Sequence, residues 1–459
     1  MTWTAAELAE IVSGELHADE LVTVSGIATD SRSVGEGDAF VAIVGERFDG
    51  ADFALDAMGA GASLVIAQRR LDQACIVVKD TTAALGEIAR AHLQTLPRTR
   101  VVAITGSSGK TSTKDLVAQV LARAGTTLAT IGSYNNEIGL PRTVLQADEH
   151  TEFLVLEMGM RGGGQISHLC HIAPPDIAVV LNVGTAHAGV IGTLDDTAAG
   201  KGEIIKALHS DGLAIINADD GYAHYFRTLA PCPTLDFGFD EGEVHASSIA
   251  LDELARAAFT LHIGAASAPV QLRLLGEHHV GNALAAAAIG HACGLDVATI
   301  ADALSQATTR SHGRMECIEL DNGVTLIDDT YNANPESMRS ALRALAMIGR
   351  HRRTWAVLGE MRELGDLEVE EHDAIGRLAV RLDISHLVAI GRMGKIMQIA
   401  AANEGSWGDE AAHVEDADAA IAHVLTRWQP GDVVLVKASR AIRLERVAEA
   451  LRAAGSRKN

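Results

Sequence analysis

Residues 101–125 read VVAITGSSGKTSTKDLVAQVLARAG. An apolar, strand-like run, VVAIT, passes through GSSGKTS directly into a segment of helical periodicity. Leu116, Val117, Val120 and Leu121 recur on one face of that segment, and Gly125 marks its stop. Strand, glycine-rich loop, Gly-Lys-Thr and helix, in that order, are the context that gives a phosphate loop physical meaning. Backbone N–H groups at a helix N-terminus point outward, the helix dipole favours an anion there, and glycines let the main chain approach phosphate oxygens. Lys110 has the reach for β- and γ-phosphates, and the Thr111 hydroxyl suits Mg²⁺. The usual loop carries a glycine five residues before the Gly-Lys pair. Here that position is Ile104 and the first glycine is Gly106, so the loop is two residues short. Gly106, Ser107, Ser108, Gly109, Lys110, Thr111 and Ser112 therefore cradle phosphate in a compact variant or form a tight strand-to-helix turn with an incidental lysine.

Outward from this stretch the alternation continues. TEFLVLEMG and PPDIAVVLNVG read as strands and TAAGKGEIIKAL as a helix, which predicts right-handed βαβ units and a mainly parallel sheet. Residues 233–275 differ, with shorter strand-like pieces such as FTLHI and VQLRLL, before the helix NALAAAAIGHACG. A second α/β series begins near residue 310: TLIDDTYN, TWAVLGEMRE, HLVAIGR and DVVLVKASR each read as a strand with a polar exit. Ahead of the central series, TVSGIATDSR, DAFVAIVGERFDG, SLVIA and CIVVK read as strands, and DGADFALDAMGAGA as a helix ending at glycines. The chain thus divides into three α/β parts, 1–83, 84–309 and 310–459.

The 459 residues suit about three domains of ordinary size. A net charge of −22 disfavours nucleic acid, and an anionic small ligand would need local cations against that field. Aromatic residues make up only 3%, too few for stacking platforms. The N-terminal MTWTAAELAE lacks a basic start and an apolar core, so a signal peptide is not expected, and no apolar run is long enough for a membrane span. The five cysteines are scattered without CxxC spacing, which fits a reducing cytoplasm rather than disulfides or zinc.

Ligands of open α/β sheets gather at the carboxyl ends of strands. Glu157 ends one such strand and His187 follows another. Each is a metal-ligand candidate, with a solvated strand-end carboxylate and a backbone-bonded loop histidine as the alternatives. IDDTYNANPES places Asp328, Asp329, Asn332 and Asn334 at a strand end, suited to ribose or phosphate. Arg314, in HGRME, sits at a junction where it either clamps phosphate or makes an ordinary interdomain salt bridge. Ser31, Arg32, Arg47 and Phe48 lie on N-terminal loops suited to an anionic ligand. Lys201 reads from its own context as a solvated helical lysine.

Taken together, TGSSGKTSTK, YNNEIGLP, EMGMRGGGQI, NVGTAHAGVIG, AAGKGEI, GEHHVGNALAAAA, HGRME, DDTYNANPES, LGEMRELG and VLVKASR resemble the Mur ligases, the ATP-dependent amide-forming enzymes of peptidoglycan assembly. The resemblance spans essentially the whole chain, and the family's short G-x-x-G-K-T loop accounts for the two missing residues. It implies a small N-terminal domain for the uridine nucleotide, a central P-loop ATPase-like domain and a C-terminal Rossmann-like domain. DDTYNANPES and LGEMRELG resemble the branch that joins D-alanyl-D-alanine to UDP-N-acetylmuramoyl-tripeptide. The DNPR motif of the branch adding meso-diaminopimelate is absent. The implied cofactors are ATP and Mg²⁺, and the expected state is a cytoplasmic monomer. By the same resemblance, Lys110 and the loop amides hold ATP phosphates, while Thr111, Glu157, His187 and Lys201 serve the metal. Lys201 does so after carbamylation by CO₂. Asn282 reads adenine, Arg314 and Asp329 touch the nucleotide, and Asn135 and Asn136 face substrate. Ser31, Arg32, Arg47 and Phe48 fall in the domain that holds the UDP end. The sequence departs from the family at His279, where an asparagine is common. Another acceptor, or a nucleotide-binding protein without catalysis, is the alternative.

Overall fold

The computed structural model describes residues 2–184, 188–239, 241–406 and 408–456. The chain forms two compact units. The first comprises Met1–Ala103, Gly125–Gly159 and Ile166–Asp176, and the second Ile104–Ala124, Met160–Gln165 and Ile177–Asn459.

In the first unit a five-stranded sheet runs in the order Glu15–His17, Cys75–Val77, Leu64–Ala67, Asp38–Val41, Gly26–Ala28. Its pairs are parallel except the first, which is antiparallel. Successive strand residues face opposite sides. Leu64 and Ile66 enter one core with Leu8, Val24 and Val41, whereas Val65 and Ala67 enter another with Phe40, Ala54 and Ala57. The helix Ala5–Ile11 is fixed by a capping box between Thr4 and Glu7. The helix Thr81–Gln94 begins at Asp80, whose carboxylate accepts from the Thr82 and Ala83 N–H groups. Leu85 and Ile88 of this helix pack into the first core, so position 83 falls inside an element that belongs to this sheet. The same unit holds two parallel strands, Thr127–Ala129 and Phe153–Glu157.

The strand Arg100–Thr105 carries the chain into the second unit, where the Leu181 N–H donates to the Thr105 carbonyl at 2.9 Å. Strands Ile177–Val180, Leu213–Asn217, Thr234–Gly238 and Val244–Leu251 follow one another in parallel. Arg256–Ile263 and Ala266–Leu275 then add two antiparallel strands. The pieces FTLHI and VQLRLL are parts of this longer antiparallel extension. Against the parallel part lie the helices Lys110–Leu121 and His279–Ala292, which meet closely enough that a Cβ on Gly290 would come within 2.6 Å of Val120 Cγ1.

The C-terminal sheet runs Glu316–Glu319, Thr325–Asp329, Val433–Lys437, Thr354–Leu358, His386–Ile390, Ala411–Val414. All its pairs are parallel except the first. Trp355, Val357, Val434 and Val436 face one core, and Ala356, Leu358, Val433 and Leu435 the other. Buried apolar residues on both faces are the mark of a doubly wound sheet covered by helices on each side. No helix among the described residues is long and apolar enough to cross a membrane.

Candidate active site

The loop after Arg100–Thr105 takes glycine at both ends because its surroundings leave no room for a side chain there. A Cβ on Gly106 would lie 2.9 Å from Leu181 Cβ. Gly109 adopts φ +80°, which disfavours any L side chain, and a Cβ there would stand 2.6 Å from Asn282 Oδ1. Gly109 is also the N-cap of the helix Lys110–Leu121 and brings no capping side chain. Thr111 is buried and Ser112 half-buried in the helix's first turn. The Lys110 ammonium folds back onto the Gly106 carbonyl at 2.6 Å.

The two serines between the glycines face the exit of the neighbouring strand. Ser107 N–H donates to the Asn182 carbonyl at 3.1 Å, and Ser108 N–H to Asn182 Oδ1 at 3.0 Å. Asn182 Nδ2 donates in return to the Ser108 carbonyl at 3.3 Å. Ser107 Oγ accepts from Gly184 N–H at 2.8 Å.

Two further side chains, Arg314 and Asn334, reach this loop within the second unit. Arg314 Nη2 donates to Thr111 Oγ1 at 3.1 Å. Its guanidinium lies 4.1 Å over the Tyr331 ring, whose ring also carries the Arg440 guanidinium at 4.9 Å. Met315 holds φ +51°, and its N–H donates to Asp329 Oδ1 at 3.2 Å, fixing the turn that aims Arg314. Asp329 in turn accepts from the buried Lys437 ammonium at 2.6 Å. Burial pushes Lys437 below the ordinary lysine value, with the Asp329 carboxylate opposing that shift. Asn334 caps the helix Pro335–Ile348 and donates to the Ser107 carbonyl at 3.4 Å.

Asn282 is buried, and its Nδ2 meets His279 Nδ1 at 3.3 Å. Burial drives the His279 pKa well down, and the neighbouring His278 adds to the effect, so the ring is neutral and able to accept that N–H.

Lys201 is not the solvated lysine its sequence context suggests. It is 4% exposed, on the helix Leu194–Lys206. Burial holds its pKa well below the usual lysine range, the Lys110 charge adds to this, and the Asp220 carboxylate opposes it. Asp220 also accepts the Val183 N–H at 2.8 Å.

In the first unit Glu157 ends its strand, buried, and accepts from Asn135 Nδ2 at 2.7 Å. Asn136 accepts the Gly139 N–H at 2.8 Å, organising the start of the helix Gly139–Val144. Ser31 begins a one-turn helix, Ser31–Ser33, capped by Asp30. Asp30 also takes a two-pronged ion pair from the exposed Arg32, which holds its carboxyl well below the usual carboxylate range. Arg47 and Phe48 occupy a hairpin tip closed by the Gly45 N–H to Phe48 carbonyl bond, with Phe48 70% exposed. His187 lies outside the described residues.

Sequence reasoning gave no role to Asn182, Asp220, Tyr331 or Lys437. Each stands at a strand end or just beyond one, which is the signal that pointed to Glu157. Their partners lie far along the chain, and no local spacing encodes them.

Three family descriptions match along the chain: "Mur ligase family, catalytic domain" over residues 23–106, "Mur ligase middle domain" over 104–290, and "Mur ligase, glutamate ligase domain" over 313–440. A UDP-N-acetylmuramoyl-tripeptide–D-alanyl-D-alanine ligase from Mycobacterium tuberculosis is 44% identical over 98% of this chain and 97% of its own. The protein of that name from Escherichia coli is 35% identical over 99% of both. Among solved structures, MurF from Acinetobacter baumannii superposes with a TM-score of 0.90 at 33% identity, covering 99% of each chain. MurF from Thermotoga maritima in complex with ADP gives 0.80 at 31% identity, over 94% of this chain and 97% of that one.

Proposed function

Because the chain belongs to the Mur ligase family, we propose that it is the ATP-dependent ligase that joins D-alanyl-D-alanine to UDP-N-acetylmuramoyl-tripeptide, with ADP and phosphate as co-products. The observation that carries the reading is a compact phosphate loop, with Lys110 and a buried amine-bearing Lys201 beside it, in a chain alike from end to end to ligases of that name.

A carboxylate is a poor acyl donor. Transfer of the γ-phosphoryl group to the tripeptide carboxylate gives an acyl phosphate, the dipeptide amine attacks its carbonyl carbon, and the tetrahedral intermediate expels phosphate. Lys110, the loop amides from Gly109 onward and Arg314 offset charge on the phosphoryl oxygens. Asn282 reads adenine. Asp329 holds Arg314's turn in place rather than standing alone, as its bonds to Met315 and Lys437 indicate. In the first unit, Ser31, Arg32, Arg47, Phe48, Asn135 and Asn136 would take the UDP-linked substrate by family likeness.

The residues fit Mg²⁺. By family likeness Thr111, Glu157 and a carbamylated Lys201 would serve the ion, and each brings the hard oxygen donor it takes. A neutral amine is the form that attacks CO₂, and the buried Lys201 is held toward that form. Among the described residues no group of three or more His, Cys, Asp or Glu side chains suits a metal by itself. His187 joins this set by family likeness. Bound Mg²⁺ would supply charge neutralisation at the β- and γ-phosphates.

The proposal includes a working division into 1–83, 84–309 and 310–459; the third family match begins at 313, near the second boundary, whereas the first two meet at 104–106, beyond the first. The helix Thr81–Gln94 favours moving the first boundary beyond it. A cytoplasmic monomer completes the reading.

The test is phosphate release from ATP with UDP-N-acetylmuramoyl-tripeptide and a panel of acceptors: D-alanyl-D-alanine, meso-diaminopimelate, L-lysine and D-glutamate. Turnover with D-alanyl-D-alanine alone is expected. Turnover with another acceptor moves the specificity, and none from folded protein overturns the catalytic reading.

A further inference from the structure

A common phosphate loop wraps its anion with four residues between its glycines, and this one has only Ser107 and Ser108. Neither serine offers its N–H to a ligand. Residue 182 takes both, one through its main-chain carbonyl and one through its side chain. The side-chain amide of Asn182 meets both main-chain groups of Ser108, accepting its N–H and donating to its carbonyl. Only one orientation of the amide satisfies both bonds, and only an amide carries a donor and an acceptor at that spacing. It imitates one rung of a strand pair.

The segment that presents Asn182 is itself fixed. The Leu181 carbonyl accepts from Asn217 Nδ2 at 2.7 Å, the Val183 N–H donates to Asp220 at 2.8 Å, and Gly184 is bonded to Ser107 Oγ. Leu181 N–H is bonded to Thr105, and Leu181 Cβ is the atom that excludes a side chain at Gly106. The short loop thus rests on a backing held at four successive residues.

We infer that Asn182 is a positioning residue for the nucleotide: its amide holds Ser107 and Ser108 against the neighbouring strand exit, so that phosphate is met by the main chain from Gly109 onward. Asn182 does for this loop what two further loop residues do in the longer form. The inference rests on the phosphate-loop reading and deepens it.

The test uses the full-length protein with ADP as probe. Asn182→Ala removes the rung. Asn182→Asp keeps an acceptor for Ser108 N–H, loses the donor to its carbonyl, and adds a negative charge beside the phosphates. ADP affinity, measured by titration calorimetry, should fall about ten- to a hundredfold in Asn182→Ala, as for a lost pair of buried hydrogen bonds. It should fall further in Asn182→Asp. Affinity for UDP-N-acetylmuramoyl-tripeptide should stay within about twofold, and the KM for ATP should rise more than kcat falls. Wild-type ADP affinity in either folded variant overturns the inference. Equal losses for ADP and the UDP substrate overturn it in favour of general support of the fold. If Asn182→Ala does not fold, Asn182→Asp decides by the same criteria. Lys110→Ala is run in parallel: wild-type turnover in that variant overturns the phosphate-loop reading itself, whatever Asn182 does.

Discussion

Gly109 shows how one position can be constrained twice. Its φ of +80° costs an L residue about 1 kcal/mol or more, and a Cβ would press on Asn282. Gly109→Ala should therefore cut ADP affinity at least about tenfold, whereas alanine at an ordinary helix start is nearly neutral. Calorimetric titration checks this. Lys201 carries a prediction of opposite sign for stability and activity. Its folded pKa lies below the ordinary 10.5, so between the two values the unfolded chain binds more protons and stability rises with pH. The penalty is greatest below the folded pKa. Lys201→Met should stabilise the protein by about 1–3 kcal/mol near neutral pH and abolish ligation. Denaturant unfolding at rising pH should show that gain shrinking toward 10.5. A short carboxylic acid should partly restore turnover to Lys201→Ala, and full activity in that variant without it would return Lys201 to an ordinary helical lysine. The strand, glycine turn and helix around Lys110 were legible from their local order of residue types. The burial of Lys201 was not, because a lysine two residues from Glu203 reads the same whether water or protein surrounds it.

Between elements, one close approach lies where the helix His279–Ala292 crosses the helix Lys110–Leu121. Gly290→Ala would gain about 1 kcal/mol of helix propensity. It would also drive a methyl to 2.6 Å from Val120 Cγ1, a β-branched side chain with one favoured helical rotamer. The clash should win, lowering stability by about 1–3 kcal/mol as read by denaturant unfolding. Buried strands such as VVAIT and DVVLVKASR were legible because continuous apolar runs end at polar exits. The strand Val244–Leu251 was not: its two serines and the register shift between Ser247 and Ala250, with Ser248 at φ +55°, interrupt the alternation that marks a half-buried strand. The helix Ala5–Ile11 carried its signature in TAAE, a capping box that a search for a leader peptide passes over.

At the scale of the whole molecule, each unit has a core cluster of its own, and ligands should mark the units separately. ADP should slow amide hydrogen exchange across Lys110–Leu121 and leave the sheet from Glu15–His17 to Gly26–Ala28 unchanged. Phe48→Ala, at a position 70% exposed, should leave stability within about 0.5 kcal/mol and raise the KM for the UDP substrate. Three α/β series were visible in the sequence, but the sharing of residues between parts of the chain was not, since it depends on partners such as Arg314 and Thr111, 203 positions apart. That bond bears on the order of events in a catalytic cycle. A guanidinium already occupies the hydroxyl offered to the metal, with the Lys110 ammonium nearby. A bare divalent cation would meet like charge there, so it should travel in as the escort of the incoming triphosphate, and Mg²⁺ titrated alone should give no heat.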